Sequence, residues 1–509
     1  MHPSPVLARW QQHAGSTRTA IVDAEGAHSW EELDARSRVL AEALLIARPT
    51  LAGQRVALLV EPGATFVASL FAVFRAGGCA VILSPLHPAA ESAYFLQDAR
   101  VMTVLVSEKY LDKLPTPSPN TRIFPVEALL RHAPPPSPDH LPQVLASDAA
   151  LQVYTSGTTG KPKGAVLTHG NLGAQQEALG AAWGMNENDV LLHLLPLHHV
   201  HGLSIALLSV LGAGGSARML AGFDAARVWE ELGQSTLFMA VPTIYSKLLA
   251  AWDAADASTR EGWSSHARAL RLSTSGSAAL PVSVGDRWRE LTGAFPLERY
   301  GMTEIGVALS NPVESTQRRP GTVGRPLRGV GIRIVDEAGA DAPSGELWVS
   351  GPSVFPGYFQ REAETQNAFV THEGTRYFRT GDTVNKEEDG SIRILGRTSV
   401  DILKSGGYKL SALELEELFR ENPAVGEVAV VGVPDEVWGD RVVACIVPRP
   451  GSEAACAEEA LRAWLKERVA AYKVPRHVLT FTELPRNAMG KVVKPELTKV
   501  AAQRLTAET

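Results

Sequence analysis

Apolar and polar positions alternate in blocks along the first part of the chain. RVALLV, Arg55 to Val60, is a short apolar run closed by Pro62-Gly63, and it predicts a buried strand. A helix-length segment follows from Ala64 to Ala76, and Gly77-Gly78 stop it. MTVLV, Met102 to Val106, predicts another buried strand. This rhythm predicts parallel α/β architecture. The stretch from Leu114 to Pro142, with PPPSP at Pro134 to Pro138, is too proline-rich for regular helix or central strand. It is expected to be an irregular surface connection inside a large domain.

LQVY, Leu151 to Tyr154, is a strand that runs into TSGTTGKPKG, Thr155 to Gly164. Beyond Gly396 the texture changes. Two strand patterns, VGEVAVVGVPD and DRVVACIVPRP, flank a Gly-Asp turn, with helix-like stretches on either side. The expectation is therefore a large αβ-layered domain over residues 1–396 and a small α+β domain over residues 397–509. No internal repeat is apparent.

The loop after LQVY interleaves hydroxyls (Thr155, Ser156, Thr158, Thr159), glycines (Gly157, Gly160, Gly164) and lysines (Lys161, Lys163). Glycines let backbone amides approach anionic oxygens, and lysines add counter-charge, so phosphate binding is favoured over a plain polar hairpin. It is not a Walker A loop. Gly157 and Gly160 stand too close, and Pro162 occupies the place after Lys161 where a metal-binding Ser or Thr belongs. An NTP-hydrolysing switch is thereby disfavoured; a nucleotide-binding pseudoenzyme is a further alternative.

The totals narrow the classes. The chain has 509 residues, more than one ordinary core holds. A net charge of −6 gives no electrostatic case for nucleic acid or an anionic membrane. Cys79, Cys445 and Cys456 form no close pair, which fits a reducing compartment. MHPSPVLARWQQHAG has no apolar signal core, and no run is long enough to span a bilayer. A cytoplasmic enzyme, monomeric or weakly dimeric, is expected.

Taken in order, RAGGCAVILSP, TSGTTGKPKG, YGMTE, YFRTGD, GRTSVDILKSGG and PRNAMGKVVK resemble the adenylate-forming superfamily: acyl-CoA synthetases, firefly luciferase and the adenylation domains of peptide synthetases. The resemblance covers most of the chain. It implies that the loop holds the β- and γ-phosphates of ATP and escorts departing pyrophosphate, while a carboxylate attacks the α-phosphorus. A thiol, that of CoA, then attacks the acyl-adenylate.

The resemblance also implies site residues. Lys491 matches the catalytic lysine that bridges carboxylate and α-phosphate, and a point charge on a flexible stem suits that role. Glu304 matches the Mg²⁺ carboxylate, and Thr303 donates to the α-phosphate. Tyr300 and Gly301, with the strip at Gly276 and Ser277, receive adenine; Asp382 and Arg397 hold the ribose. The segment LPLHHVHG places His199 and His201 at the acyl pocket, beside Ser277 and Met302. A zinc site on His193, His198, His199 and His201 is disfavoured, because the four crowd one segment without a thiolate. The C-terminal domain is expected to swing between the half-reactions, with Lys404, Ser405, Gly406 and Gly407 then lining the CoA tunnel. GRTSVDILKSGG carries one extra residue, so the pivot falls on Ser399, Val400 or Asp401.

Arg299 immediately precedes YGMTE, near the floor of the acyl pocket. A buried unpaired arginine costs on the order of 3–5 kcal/mol and demands a partner. A second substrate carboxylate fits bidentately, pointing to a small dicarboxylate; an ion pair with a neighbouring acid is the competing reading. SGSAALP, ERYGMTEIGVALSNP, PGTVGRPL and GRTSVDILKSGGYK look like the malonyl-CoA synthetases. The alternatives are methylmalonate or a short or medium monocarboxylate as substrate. Peptide-synthetase adenylation is weaker, because those domains meet an ammonium with an acid.

Overall fold

A computed structural model describes residues 2–46, 48–116, 120–132, 141–155, 162–405, 408–435, 438–486 and 492–507. The chain divides into two compact units. The first comprises Met1–Gly331 with Val349–Phe378, and the second Ile332–Trp348 with Arg379–Thr509.

The first unit holds two sheets of the doubly covered kind. In one, the strands Arg55–Leu59, Cys79–Ile82, Thr103–Val106 and Ala149–Thr155 pair in parallel, and Lys163–Thr168 then adds antiparallel to the last of these. Helices cover both faces of a parallel sheet, so its strands read as continuous apolar runs rather than alternations. Residues 56–59 and 79–82 are accordingly buried on every side. The helix Ala64–Arg75 begins where expected because Gly63 adopts φ +150°, letting Asp23 accept from the Ala64 N–H at 2.8 Å. A Cβ at Gly63 would lie 2.5 Å from that carboxylate.

The expectation of an irregular Leu114–Pro142 is corrected. Strand Arg122–Pro125 pairs in parallel with Thr103–Val106, and helix Val126–His132 follows. The prolines cluster at either end of this stretch, and the one inside it, Pro125, closes a strand at the sheet's edge, where a missing N–H is tolerated.

The second sheet of this unit places Leu237–Ala240, Leu272–Ser275 and Leu297–Met302 side by side in parallel. Gly306–Ser310 folds back antiparallel on the last strand. Their carboxyl ends carry Ser275, Gly276 and the Tyr300–Glu304 segment to one edge, the place where open α/β sheets receive ligands.

In the second unit, Val425–Asp435 and Gly439–Pro448 form a long antiparallel hairpin, and His477–Thr480 joins it in parallel. Alternate residues serve opposite cores. Val428 and Val430 pack with Leu415, Phe419, Leu461 and Leu465, while Ala429, Val431 and Val433 pack with Leu497, Ala501 and Leu505. A period of two with both faces covered is what a helix–sheet–helix layer requires. Among the described residues, no helix is long and apolar enough to cross a membrane.

Candidate active site

The phosphate-loop segment is held at its two ends. Thr155 pairs with Lys163 and Tyr154 with Gly164 across an antiparallel hairpin. Ser156, Gly157, Thr158, Thr159 and Lys161 lie outside the described residues. At the exit, Tyr94 Oη donates to the Pro162 carbonyl at 2.7 Å, and the Phe359 N–H donates to the Gly164 carbonyl at 2.8 Å. Gly164 has a packing reason of its own: a Cβ there would meet Gln152 Nε2 at 2.4 Å.

Leu297–Met302 and Gly306–Ser310 make a tight hairpin whose turn carries Thr303 and Glu304. Glycine is required on its first strand, since a Cβ at Gly301 would sit 2.0 Å from the Gly306 carbonyl oxygen. Glu304 is 5% exposed. Tyr358 Oη donates to its Oε1 at 2.9 Å, and the Phe355 N–H donates to its carbonyl at 2.8 Å. Lys163 Nζ lies over the Tyr358 ring, 5.3 Å from its centroid. Tyr300 Oη reaches Met302 Sδ at 3.5 Å.

Arg299 is 4% exposed. Its Nε and Nη2 have no hydrogen-bond partner among the described residues. Burial alone pushes its guanidinium down to about 10, so it stays charged at neutral pH. The group lies flat on backbone, because a Cβ at Gly276 would fall 2.4 Å from Arg299 Cζ. Among the described residues, the ion pair with a neighbouring acid that competed in the sequence reading does not form.

Ser277, next along the strip, holds φ +68°, the left-handed region that a side chain rarely adopts. Its Oγ lies 3.0 Å from His201 Nδ1. His201 opens a π-helix, His201–Leu208, and such turns concentrate at functional sites. The Gly202 carbonyl takes a hydrogen bond from His193 Nε2 at 2.9 Å.

That bond turns His193 Nε2 toward backbone, and the residue is 3% exposed. His198 packs at 4.2 Å from His199 and 4.7 Å from His87, ring to ring. Burial, then the neighbouring imidazoles, push His198 down to about 3. No cluster of three or more His, Cys, Asp or Glu among the described residues is arranged to hold a metal ion.

In the second unit Asp382 and Arg397 face each other across antiparallel strands, with Arg397 Nε 3.0 Å from Asp382 Oδ1. Arg397 Nη1 also donates to the Thr380 carbonyl at 2.6 Å. Lys404 pairs with Glu337 at 3.1 Å, both side chains well exposed, and Ser405 is buried opposite Gly439. Gly406, Gly407 and Lys491 lie outside the described residues. Asp401 is anchored: its Oδ2 accepts from the Arg397 N–H at 3.0 Å and its Oδ1 pairs with Lys494 at 2.5 Å.

Sequence reasoning missed Tyr358 and Lys494. Tyr358 sits in PGYF, which carries no charge or glycine-rich signal beyond one turn, and its partner Glu304 is 54 residues earlier. Lys494 stands three residues past Lys491 but meets Asp401 and Glu416 only through the fold.

The chain was compared with known proteins. The family model described as AMP-binding enzyme matches residues 7–359, and the AMP-binding enzyme C-terminal domain matches 414–491. The chain is 41% identical to the mitochondrial malonate–CoA ligase ACSF3 of Mus musculus, over 95% of this chain and 88% of that protein. It is 38% identical to a malonate–CoA ligase of Arabidopsis thaliana, over 88% of this chain and 78% of that one. Among solved structures, ATP-bound MatB from Rhodopseudomonas palustris superposes with a TM-score of 0.87 at 33% identity, covering 98% of this chain and 99% of that one.

Proposed function

The chain belongs to the AMP-binding enzyme family, and from that premise we propose that it is an AMP-forming acid–CoA ligase that makes malonyl-CoA from malonate, ATP and CoA. Relatives that are malonate–CoA ligases, similar over most of the chain, support the acid. The observation in the molecule that carries it is Arg299: buried, charged, and without a counter-ion among the described residues. A monocarboxylate would leave that cost standing. The distal carboxylate of malonate removes it by pairing with Nε and Nη2 bidentately.

The reaction follows in two steps. One malonate carboxylate attacks the α-phosphorus, the bond to the β-phosphate oxygen breaks, and pyrophosphate leaves. The CoA thiol then adds to the acyl carbonyl, and AMP departs. In the first step two anions must be brought together, so positioning and counter-charge dominate the barrier. Lys491 supplies counter-charge between carboxylate and α-phosphate. Thr155, Ser156, Gly157, Thr158, Thr159, Lys161 and Lys163 cradle the departing phosphates. Glu304, a single buried carboxylate oriented by a hydroxyl, fits Mg²⁺, which takes one or two carboxylates and completes its shell with phosphate oxygens and water. When bound, that ion neutralises phosphate charge. Thr303 donates to the α-phosphate, Tyr300 and Gly301 face adenine, and Asp382 with Arg397 holds the ribose. His199, His201, Ser277 and Met302 wall the acid. Residues from Arg397 onward act as the moving lid, and Lys404, Ser405, Gly406 and Gly407 line the CoA tunnel. The pivot lies among Ser399, Val400 and Asp401, the last of which is held by the Arg397 N–H and Lys494.

The test is pyrophosphate release with ATP, Mg²⁺ and CoA across mono- and dicarboxylic acids. Malonate is expected to exceed butyrate by at least about tenfold in kcat/KM, with methylmalonate as the nearest competitor. Butyrate equalling malonate would refute the dicarboxylate assignment.

A further inference from the structure

The segment Phe355–Phe359 touches both halves of the pyrophosphate machinery. The Phe355 N–H donates to the Glu304 carbonyl and the Phe359 N–H to the Gly164 carbonyl, each at 2.8 Å. Between them, Gly357 and Tyr358 pair antiparallel with Val166 and Ala165, on the strand that leaves the phosphate loop. The Tyr358 N–H is satisfied by Thr365 Oγ1 at 3.0 Å, and a Cβ at Gly357 would strike Thr365 at 2.6 Å. The Tyr358 backbone is thus fixed on both sides. Its ring packs edge-on against Phe355, with centroids 4.8 Å apart.

From this fixed base the side chain points two chemistries at two charges. The hydroxyl donates to Glu304 Oε1 at 2.9 Å, and the ring face carries the Lys163 ammonium at 5.3 Å. A hydroxyl–carboxylate bond sets the carboxylate's orientation without removing its charge. A ring face likewise holds an ammonium without neutralising it. A lysine paired instead with a carboxylate would be lost to phosphate. We propose that Tyr358 is a positioning residue that couples the metal carboxylate Glu304 to the phosphate-loop cation Lys163, so that metal and leaving pyrophosphate are aligned by one two-torsion side chain. This rests on the reading of Glu304 as the Mg²⁺ carboxylate.

The test is equilibrium binding, by calorimetry, of a non-hydrolysable ATP analogue at graded Mg²⁺. The wild type is compared with Tyr358→Phe, Tyr358→Leu and Glu304→Gln, and AMP binding reports on the integrity of the fold. Tyr358→Phe should raise the half-saturating Mg²⁺ about tenfold, the worth of one hydrogen bond to a charged group. Its AMP affinity should stay at the wild-type value. Tyr358→Leu should in addition weaken analogue binding severalfold without Mg²⁺, because the seat of Lys163 is gone. Glu304→Gln should remove most of the Mg²⁺ dependence. If Glu304→Gln does so while Tyr358→Phe keeps the wild-type Mg²⁺ curve, the coupling role is wrong and the Glu304 reading stands. An unchanged curve in Glu304→Gln overturns that reading instead. A parallel loss of AMP affinity in Tyr358→Phe makes Tyr358 merely structural, and equal Mg²⁺-free binding by Tyr358→Leu removes the Lys163 half.

Discussion

Two buried cations, one in each unit, are treated in opposite ways. Lys494, in the second unit, has 12% of its side chain exposed and meets two carboxylates, Asp401 at 2.5 Å and Glu416 at 2.6 Å. Burial lowers its pKa, but Glu416 and then Asp401 outweigh it, and the net shift is upward. Glu416 is tied in further by the Val430 N–H at 2.8 Å. Arg299, in the first unit, meets no acid among the described residues, and burial acts on it unopposed. The difference separates a cation that holds a domain together from one kept waiting for a ligand. Desolvation is offset within the fold in the first case and, under the proposed function, by substrate in the second.

The comparison breaks if charge removal does not dissociate stability from activity. Lys494→Met leaves Asp401 without its cation and Glu416 with only Arg420, at 3.5 Å, and should cost about 3 kcal/mol, read as a lower denaturant midpoint. Arg299→Met deletes an uncompensated charge and should leave the midpoint unchanged or raised. It should lower kcat/KM for malonate by about a hundredfold or more while moving butyrate little, the loss of one buried charge pair. Equal losses for both acids would reassign Arg299 to structure, and an unchanged midpoint in Lys494→Met would remove the structural half of the contrast.

The two cations were not equally legible. Arg299 announced itself because it abuts YGMTE, and a charge at the expected floor of the acyl pocket raises the question of its partner. Lys494 looks like any solvated lysine until the fold brings in residues 93 and 78 positions earlier. Tyr358 was hidden for the same reason. The hairpin Val425–Asp435 and Gly439–Pro448 was readable because alternation and a glycine turn are local signals. The strand and helix at Arg122–His132 were not, because prolines on both flanks dominated a window whose middle holds only Pro125.

A third buried base sharpens the contrast by a different route. His169 is fully buried, with Ser4 Oγ 2.9 Å from its Nδ1. Burial pushes it down to about 4, and nearby Asp148 opposes this only in part, so it stays neutral in the native state. Its folded pKa lies below its unfolded value near 6.5. The stability it contributes is therefore present above pH 6.5 and lost as pH falls toward 4, where the unfolded chain binds the extra proton. The slope should approach about 1.4 kcal/mol per pH unit between these limits. Melting profiles against pH should be flatter over this window for His169→Gln. Parallel profiles would mean that His169 is protonated in the native state and carries its burial as Arg299 does.

The smallest effect concerns strain rather than charge. Ser277 adjoins Gly276, the floor under Arg299, and holds φ +68°. An L-residue there costs about 1 kcal/mol relative to glycine, a cost kept here in exchange for the hydroxyl that meets His201 at 3.0 Å. Ser277→Ala keeps the backbone strain and loses that bond, so it should destabilise by about 1 kcal/mol. Ser277→Gly also loses the bond but releases the strain, offset in part by the freer unfolded chain, so its midpoint should fall close to the wild type's. Both should raise KM for malonate severalfold. If Ser277→Gly is as unstable as Ser277→Ala, the left-handed geometry stores nothing.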